Sequence, residues 1–441
     1  MRVHTSLNVS KVIVNGFLLV ILVGALLLWL CNNFYYKIPL SIVDALFLST
    51  SAVCVTGLST IDVASDFGRV TQIILLALIQ TGGLGFMTGM MLLTIAIRRR
   101  VGIKSQMSFL GGFGVEGLQD AVKLLHVVLC YTLAFEAVGA ASLYFAFKAE
   151  GMTSSLALFN AVFHSVSAFC NAGFSPIAHG LRRYSMSFVV PGTIMSLIVL
   201  GGIGFPVFAE CWSVIRNKGR LSYYSRLVLF ITSGLLVGGT VLILVSEWND
   251  AFAGMPFWAK LWNALFASVT TRTAGFDTVD PARFSVLGQI LMIMLMVVGA
   301  SPSSTGGGIK TTTVAVIGIS VWNEIHGSHE STFRHKKIPY NTERRAQALI
   351  VVYIMTFFLA AIVLKSIEDM SFGALVFETA SAMGTVGLSV GITPKFSVAG
   401  KMILIALMFW GRVGILSFFA SLIRPEKGSV VHYPETHIPI G

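Results

Sequence analysis

The chain has 441 residues, of which 55% are hydrophobic and 12% charged, with 43 glycines and a formal net charge of +11. Ordinary soluble domains carry about 25% charged residues and about 7% Gly, so the composition excludes most of them and describes an all-α integral membrane protein rich in glycine. The basic balance does not make a nucleic-acid binder, because the apolar content leaves little solvated face on which cations could gather.

A transmembrane helix needs about 20 predominantly apolar residues. In chain order, eight stretches qualify: 12–31, 71–97, 127–147, 184–209, 227–246, 284–309, 346–364 and 402–423. Glu136 and Arg412 are the charges that interrupt the third and the last. The first stretch is too long for a signal-peptide core and lacks a small-residue cleavage site, so it is expected to stay in the mature protein. Eight spans put both termini on one side. Most of the 31 Lys and Arg fall on the side that holds Arg98-Arg99-Arg100, Arg216/Lys218/Arg220 and Arg334/Lys336/Lys337. The positive-inside rule therefore predicts cytoplasmic termini. The five cysteines, Cys31, Cys54, Cys130, Cys170 and Cys211, show no CxxC pattern and read as buried small hydrophobes, without a metal or a disulfide framework.

Between the members of each pair of spans lies an apolar segment too short to cross, which suits a re-entrant half-helix. The four read DALFLSTSAVCVTGLS from Asp44, NAVFHSVSAFCNAGFS from Asn160, NALFASVTTRTAGFD from Asn263 and ALVFETASAMGTVGLS from Ala374. Each ends in a Gly followed by a large apolar residue: Gly57, Gly173, Gly275 and Gly387. A second element recurs in the following span, as GGLG at Gly82–Gly85, GGIG at Gly201–Gly204 and GRVG at Gly411–Gly414. The third unit instead carries GASPSSTGGGIK from Gly299 to Lys310. Self-similarity at a near-constant period signals a repeat architecture. The units are expected at 8–100, 120–216, 222–325 and 343–424, arranged as a pseudo-fourfold ring around a central pore, with a cytoplasmic tail at 425–441.

Non-helical backbone inside a bilayer is tolerated where protein buries it or where it lines a watery cavity. Four loops whose carbonyls face one axis can replace the hydration shell of a potassium ion, and the C-terminal ends of the half-helices favour a cation there. The candidate filter residues are Val55, Thr56, Gly57, Asn171, Ala172, Gly173, Thr273, Ala274, Gly275, Thr385, Val386 and Gly387.

On CVTGLS at Cys54–Ser59, FHSVSAFCNAGF at Phe163–Phe174, RTAGF at Arg272–Phe276, STGGGIK at Ser304–Lys310 and TVGL at Thr385–Leu388, the chain resembles the bacterial Ktr/Trk/HKT superfamily of potassium transporters. It looks most like the KtrB-type membrane subunits of that family. The resemblance spans residues 10–435 and implies a channel-like potassium uptake subunit of a bacterial plasma membrane. All four loops hold Gly, which in this family implies potassium over sodium. It also implies a homodimer docked on a cytoplasmic ring of separate nucleotide-binding RCK (KtrA-like) subunits, with no cofactor of its own and with K⁺ as cargo. Na⁺ as activator or as coupling ion is the alternative.

The broken sixth span, through Ser303, Ser304, Thr305, Gly306, Gly307 and Gly308, reads either as a packed kink or, as the family implies, as an intramembrane gating loop. Lys310 is expected to anchor that loop to the cytoplasmic side. An intramembrane charge is a functional hypothesis by default, so Arg412 is expected below the filter, bonded to loop carbonyls and forming an electrostatic barrier, with an ion pair to a buried acid as the alternative. Arg272, Glu378 and Glu136 are expected to pair and orient the filter, and His164 to be a helix-packing residue. Asp62, Asp66, Asp277 and Asp280 follow the first and third loops, as solvated residues or as a negative mouth.

Gly112–Gly117 matches GxGxxG, but no strand precedes it and no dinucleotide site is expected. An alternating-access transporter would show two inverted repeats and two broken helices. Here the four repeats share one orientation and only one span reads as broken. A membrane enzyme would need an embedded catalytic cluster, which the scarce acids do not supply.

Overall fold

The computed structural model describes residues 9–97, 118–217, 219–328, 330–333 and 336–414. The GxGxxG match at 112–117, the basic run 98–100 and the tail at 425–441 lie outside the described residues. Fourteen α-helices run in chain order among them. The first unit holds α1 (Val9–Leu30), the half-helix α2 (Ile42–Val53) and α3 (Arg69–Ile97). The second holds α4 (Leu118–Ala149), the half-helix α5 (Ser154–Phe169), α6 (Val189–Gly202) and α7 (Phe205–Asn217). The third holds α8 (Tyr223–Ser246), the half-helix α9 (Phe257–Thr270), α10 (Val286–Val297) and α11 (Thr311–Ile325). A two-residue antiparallel hairpin, Thr332–Phe333 with Lys336–Lys337, leads to the fourth. That unit holds α12 (Tyr340–Ile367), the half-helix α13 (Phe372–Gly384) and α14 (Val398–Val413).

Four helices are long and apolar enough to cross a membrane unaided, and each lies largely or wholly in the first helix of one unit. A fifth span results if the bent pair α6/α7 is counted as one. Their outward faces are aliphatic: Leu19, Leu22 and Leu26 on α1, Val241 and Val245 on α8, and Met355, Leu359 and Ile362 on α12 are all exposed. Such a surface suits lipid and not water, and the chain is a membrane protein.

Each half-helix packs on the first helix of its own unit, as α2 on α1, α5 on α4, α9 on α8 and α13 on α12. The units join because each later helix also packs on the half-helix of the next unit: α3 on α5, α6 on α9, α10 on α13, and α14 back on α2. The chain thereby closes on itself. At the closing seam Lys401 Nζ donates to Asp44 Oδ1 at 2.7 Å, which ties the first turn of α14 to that of α2. Ser41 caps α2 by accepting from Asp44 N at 3.0 Å. Burial raises the Asp44 carboxyl, but the hydrogen bonds from Lys401 and Ser41 outweigh it and hold the group below its ordinary value. A depressed carboxyl contributes stability above its unfolded pKa and loses it as pH falls through the folded one. Lys401→Met is therefore expected to cost about 1 kcal/mol at neutral pH. The melting-temperature difference from wild type should begin to shrink as pH falls below about 4 and vanish once pH passes below the lowered Asp44 pKa.

Two sequence expectations change here. The fourth span is not one helix: α6 and α7 are bent by 100° at a break around Ile203-Gly204. Gly204 takes φ +99, and a Cβ there would meet the carbonyl oxygen of Pro302 at 2.7 Å. The break thus makes room for the loop of the third unit, and two of the expected apolar stretches, the fourth and the sixth, are interrupted where one was expected. The cysteines are free but not uniformly buried, since Cys130 is exposed and Cys31 and Cys211 are half-buried.

Candidate functional site

The C-terminal ends of the four half-helices lead into four loops with one backbone pattern. Val55, Asn171, Thr273 and Thr385 are left-handed, with φ 56, 60, 71 and 51. Two residues later Gly57, Gly173, Gly275 and Gly387 are left-handed again, with φ 97, 71, 77 and 93. Non-glycine residues in that region cost about 1–3 kcal/mol each and persist only where the surroundings enforce them. All four units hold the strain at the same offset.

The four glycines form a closed ring. A Cβ built on Gly57 would run into the carbonyl oxygen of Ala172, on Gly173 into that of Ala274, on Gly275 into that of Val386, and on Gly387 into that of Thr56. Each of those approaches is no more than 2.7 Å. Glycine is required because neighbouring loops touch backbone to backbone. The loop amides are spent on the half-helices: Thr56 N and Ala172 N reach Ser51 O and Ser167 O at 2.7 Å, and Val386 N reaches Ser381 O at 2.8 Å. Gly57 N and Gly387 N donate to the hydroxyls of Ser51 and Ser381, each at 3.0 Å. Among the described residues, none donates a hydrogen bond to a carbonyl oxygen of the twelve candidate filter residues. Those oxygens stay free beside the ring, where the negative ends of four half-helices converge.

Beneath the ring lies the segment 298–310 between α10 and α11. Its ends meet as Gly299 N donates to Ile309 O at 2.9 Å. It is pressed against the loops above: a Cβ on Gly306 would strike the Thr273 hydroxyl, and one on Gly307 the Thr385 hydroxyl. Backbone bonds hold it to the second unit, with Ser301 N on Gly202 O at 3.1 Å, Thr305 N on Gly201 O at 3.2 Å and Phe205 N on Ser303 O at 3.0 Å. Thr305 Oγ1 donates to Phe169 O at 3.1 Å, and Ser304 Oγ to Ser301 O at 2.6 Å. Arg412 reaches in from the fourth unit. Its Nη1 donates to Thr305 O, and its Nη2 to Gly82 O at 2.6 Å and to Gly83 O at 3.3 Å. One guanidinium therefore joins three units at the loop. Lys310 Nζ donates to Gly306 O at 2.7 Å, closing the segment on itself, where an anchor to the cytoplasmic side was expected.

The recurring glycines of the later helices serve the same close approach. A Cβ on Gly82, Gly201 or Gly411 would overlap the carbonyl oxygen of Val53, Phe169 or Met383, the residue at one fixed offset before each ring glycine.

The expected pairing of the embedded charges does not occur. Among the described residues no ion pair includes Arg272, Glu378 or Glu136. Glu136 Oε2 accepts from Gln80 at 3.2 Å. Glu378 accepts from Ser389 Oγ and, at 3.0 Å, from Thr393 Oγ1, both beyond its own ring glycine. Hydroxyl donors thus satisfy this carboxylate locally, so it needs no distant cation. Arg272 is buried beside the third loop, and its Nε has no partner among the described residues.

His164 has a role that packing alone does not describe. Its Nδ1 lies 2.7 Å from Asn160 O and its Nε2 2.9 Å from Ser175 Oγ. His164 and Glu378 stand at the same offset before their ring glycines, and Ser175 and Ser389 at the same offset after. Two units therefore brace the loop to its half-helix in the same way, a correspondence visible only once the four segments are aligned.

Two further braces were not anticipated. Buried Glu247 accepts from Ser285 Oγ at 2.6 Å, and buried Glu368 from Ser397 Oγ at 2.6 Å, so each holds the start of the helix that follows its loop. At the mouth Arg182 binds Asp277 at 2.7 Å and Asp280 at 2.5 Å, linking the second and third units. Burial raises the Asp277 carboxyl against the opposing pull of Arg182. Asp62 and Asp66 instead close their own turn, with Asp66 Oδ2 accepting from Asp62 N at 3.0 Å.

Comparison with known proteins follows the same outline. Residues 8–432 match a family model described as TrkH, cation transport protein. The chain is 34% identical to the Ktr system potassium uptake protein B of Bacillus subtilis, over 98% of this chain and 96% of that one. It is 35% identical to the protein of the same name from Vibrio alginolyticus, over 98% and 94%. It is 33% identical to the potassium/sodium uptake protein NtpJ of Enterococcus hirae, over 100% and 99%. The crystal structure of the potassium transporter TrkH from Vibrio parahaemolyticus superposes with a TM-score of 0.74 at 19% identity, over 96% of this chain and 87% of that one. That likeness bears on the fold alone.

Proposed function

The chain belongs to the TrkH family of cation transport proteins, and from that premise we propose that it is the pore-forming subunit of a channel-like potassium uptake system. The observation that carries this reading is the closed ring of four glycines beside carbonyl oxygens that no described residue uses. Such oxygens replace the hydration shell of an ion that matches their spacing. Val55-Thr56-Gly57, Asn171-Ala172-Gly173, Thr273-Ala274-Gly275 and Thr385-Val386-Gly387 are the filter. Residues 303–308, Lys310 and Arg412 are the gate beneath it, and Arg272 and Glu378 support the loops from behind.

On this reading the second helix of each unit also crosses the bilayer, giving eight spans and four re-entrant segments with both termini cytoplasmic. The relatives' names make them lettered components of a system, so this subunit works with others: a second copy of itself and a cytoplasmic ring that holds the nucleotide. Coupling to sodium is the second reading, favoured by the name of the Enterococcus hirae relative.

Rubidium uptake by bacteria that lack their own potassium uptake systems tests the proposal. Uptake that depends on the expressed chain, and that potassium competes for while sodium does not, is expected. Growth and uptake no better than with an empty vector would overturn it. Glu378→Ala removes the acceptor for two hydroxyls, a loss of about 1–3 kcal/mol, and should raise the potassium concentration needed for half-maximal uptake. Glu378→Gln keeps one acceptor oxygen and should fall between the two.

A further inference from the structure

A cavity of about 220 Å³ lies beside the gating segment, between that segment, α12 and the end of α14. Its wall includes Lys310, Arg412 and Tyr353, with Trp410 and Leu349 as its apolar side. Lys310 and Arg412 can only donate, and the Tyr353 hydroxyl can donate as well as accept. Lys310 spends one N–H on Gly306 O. Among the described residues the Arg412 Nε–H has no partner, although its two terminal nitrogens are bonded. The Tyr353 hydroxyl is buried, with 4% of the residue exposed, and it too has no partner. Lys310 is also the residue preceding α11, whose positive N-terminal end lies at the same place.

Two cations and two unpartnered donors thus border one space that no carboxylate among the described residues lines, and no ion pair among them includes Lys310 or Arg412. Isolated charges removed from water are costly unless a counter-charge accompanies them. A potassium ion there would face two cations, with no carboxylate among the described residues of the wall. We propose that the cavity is a binding site for a monovalent inorganic anion of halide size, held by Lys310, Arg412 and the Tyr353 hydroxyl. A chloride and a few waters fit the volume, since a water occupies about 30 Å³. The apolar wall at Trp410 and Leu349 disfavours strongly hydrated phosphate or sulfate.

Binding requires nothing of the transport reading, whereas its consequence for flux rests on that reading. The anion offsets the positive barrier that Arg412 and Lys310 place beneath the filter, so cytoplasmic chloride raises potassium flux.

The test is the line width of the ³⁵Cl resonance over a chloride titration of the purified full-length chain in detergent, at constant ionic strength with gluconate as the replacement. The expected result is saturable broadening that bromide reverses, with affinity about tenfold weaker in Tyr353→Phe, which deletes one hydrogen bond to a charged ligand and keeps the ring. In vesicles, rubidium influx through the wild-type chain should rise when chloride replaces gluconate. Broadening that does not saturate, or that is identical in Tyr353→Phe, overturns the anion site, and a cavity that holds water only gives that result. The resonance is read without ion flux, so its failure leaves the filter standing, and failed rubidium uptake leaves the anion site standing.

Discussion

Gly387→Ser is expected to collapse ion discrimination. The residue sits at φ 93, and its new Cβ would overlap the carbonyl oxygen of Thr56, one of the oxygens assigned to the ion. A left-handed residue bearing a Cβ costs about 1–2 kcal/mol by itself, and the overlap must also push the first filter loop off its axis. A loss of at least tenfold in potassium-over-sodium selectivity, about 1.4 kcal/mol, should appear in the relative uptake of the two ions. Gly391→Ser separates the two causes. Gly391 is also left-handed, at φ 84, but nothing lies within 4 Å of a Cβ there. It should bear the strain without the loss of selectivity. If the two variants discriminated ions equally well, the ring would not be the filter.

Arg412→Ala should have the opposite effect on flux. The guanidinium holds the segment 298–310, the proposed gate, at Thr305 O and the first unit at Gly82 O and Gly83 O. Hydrogen bonds to a charged group contribute about 1.5–3 kcal/mol each. Losing the bond to Thr305 alone would shift a closed-to-open equilibrium by about tenfold or more toward open. Rubidium influx into vesicles that contain only this chain should rise correspondingly. Unchanged influx, with an unchanged elution profile on gel filtration, would remove Arg412 from the gate.

The four loops were legible because a tertiary requirement leaves a residue-level trace. Where backbones touch, only Gly fits, and Gly57, Gly173, Gly275 and Gly387 mark each place. A ring is expected from the four repeats, but the contacts that close it are not legible, since the packing of α14 on α2 and the bond from Lys401 to Asp44 join residues from opposite ends of the sequence. The strain at Val55, Asn171, Thr273 and Thr385 was equally hidden, because four different side chains occupy one conformation that their surroundings impose.

The two GGxG segments show how similar sequence takes different shape. Gly82–Gly85 remains inside the helix Arg69–Ile97, whereas Gly204 ends one. What differs is the neighbour, because the carbonyl of Pro302 presses on Gly204, and Pro206 opens the next helix. The charges misled for a related reason. The sequence suggests a pair between Arg272 and Glu378, but a carboxylate can be satisfied by hydroxyls a few residues away, and Ser389 and Thr393 supply them. The equivalent placing of His164 before Ser175 was available in the sequence to an alignment of the four segments against one another.

The central claim is that one ion binds where the four glycine loops meet. Anomalous scattering from crystals of the chain grown with thallium(I), a heavy stand-in for potassium, locates that ion directly. The account predicts an anomalous peak on the axis of the ring, within coordination distance of the carbonyl oxygens of Thr56, Ala172, Ala274 and Val386, and loss of that peak when sodium replaces thallium. Thallium bound only elsewhere in the protein, with the ring axis empty at saturating concentration, would contradict it.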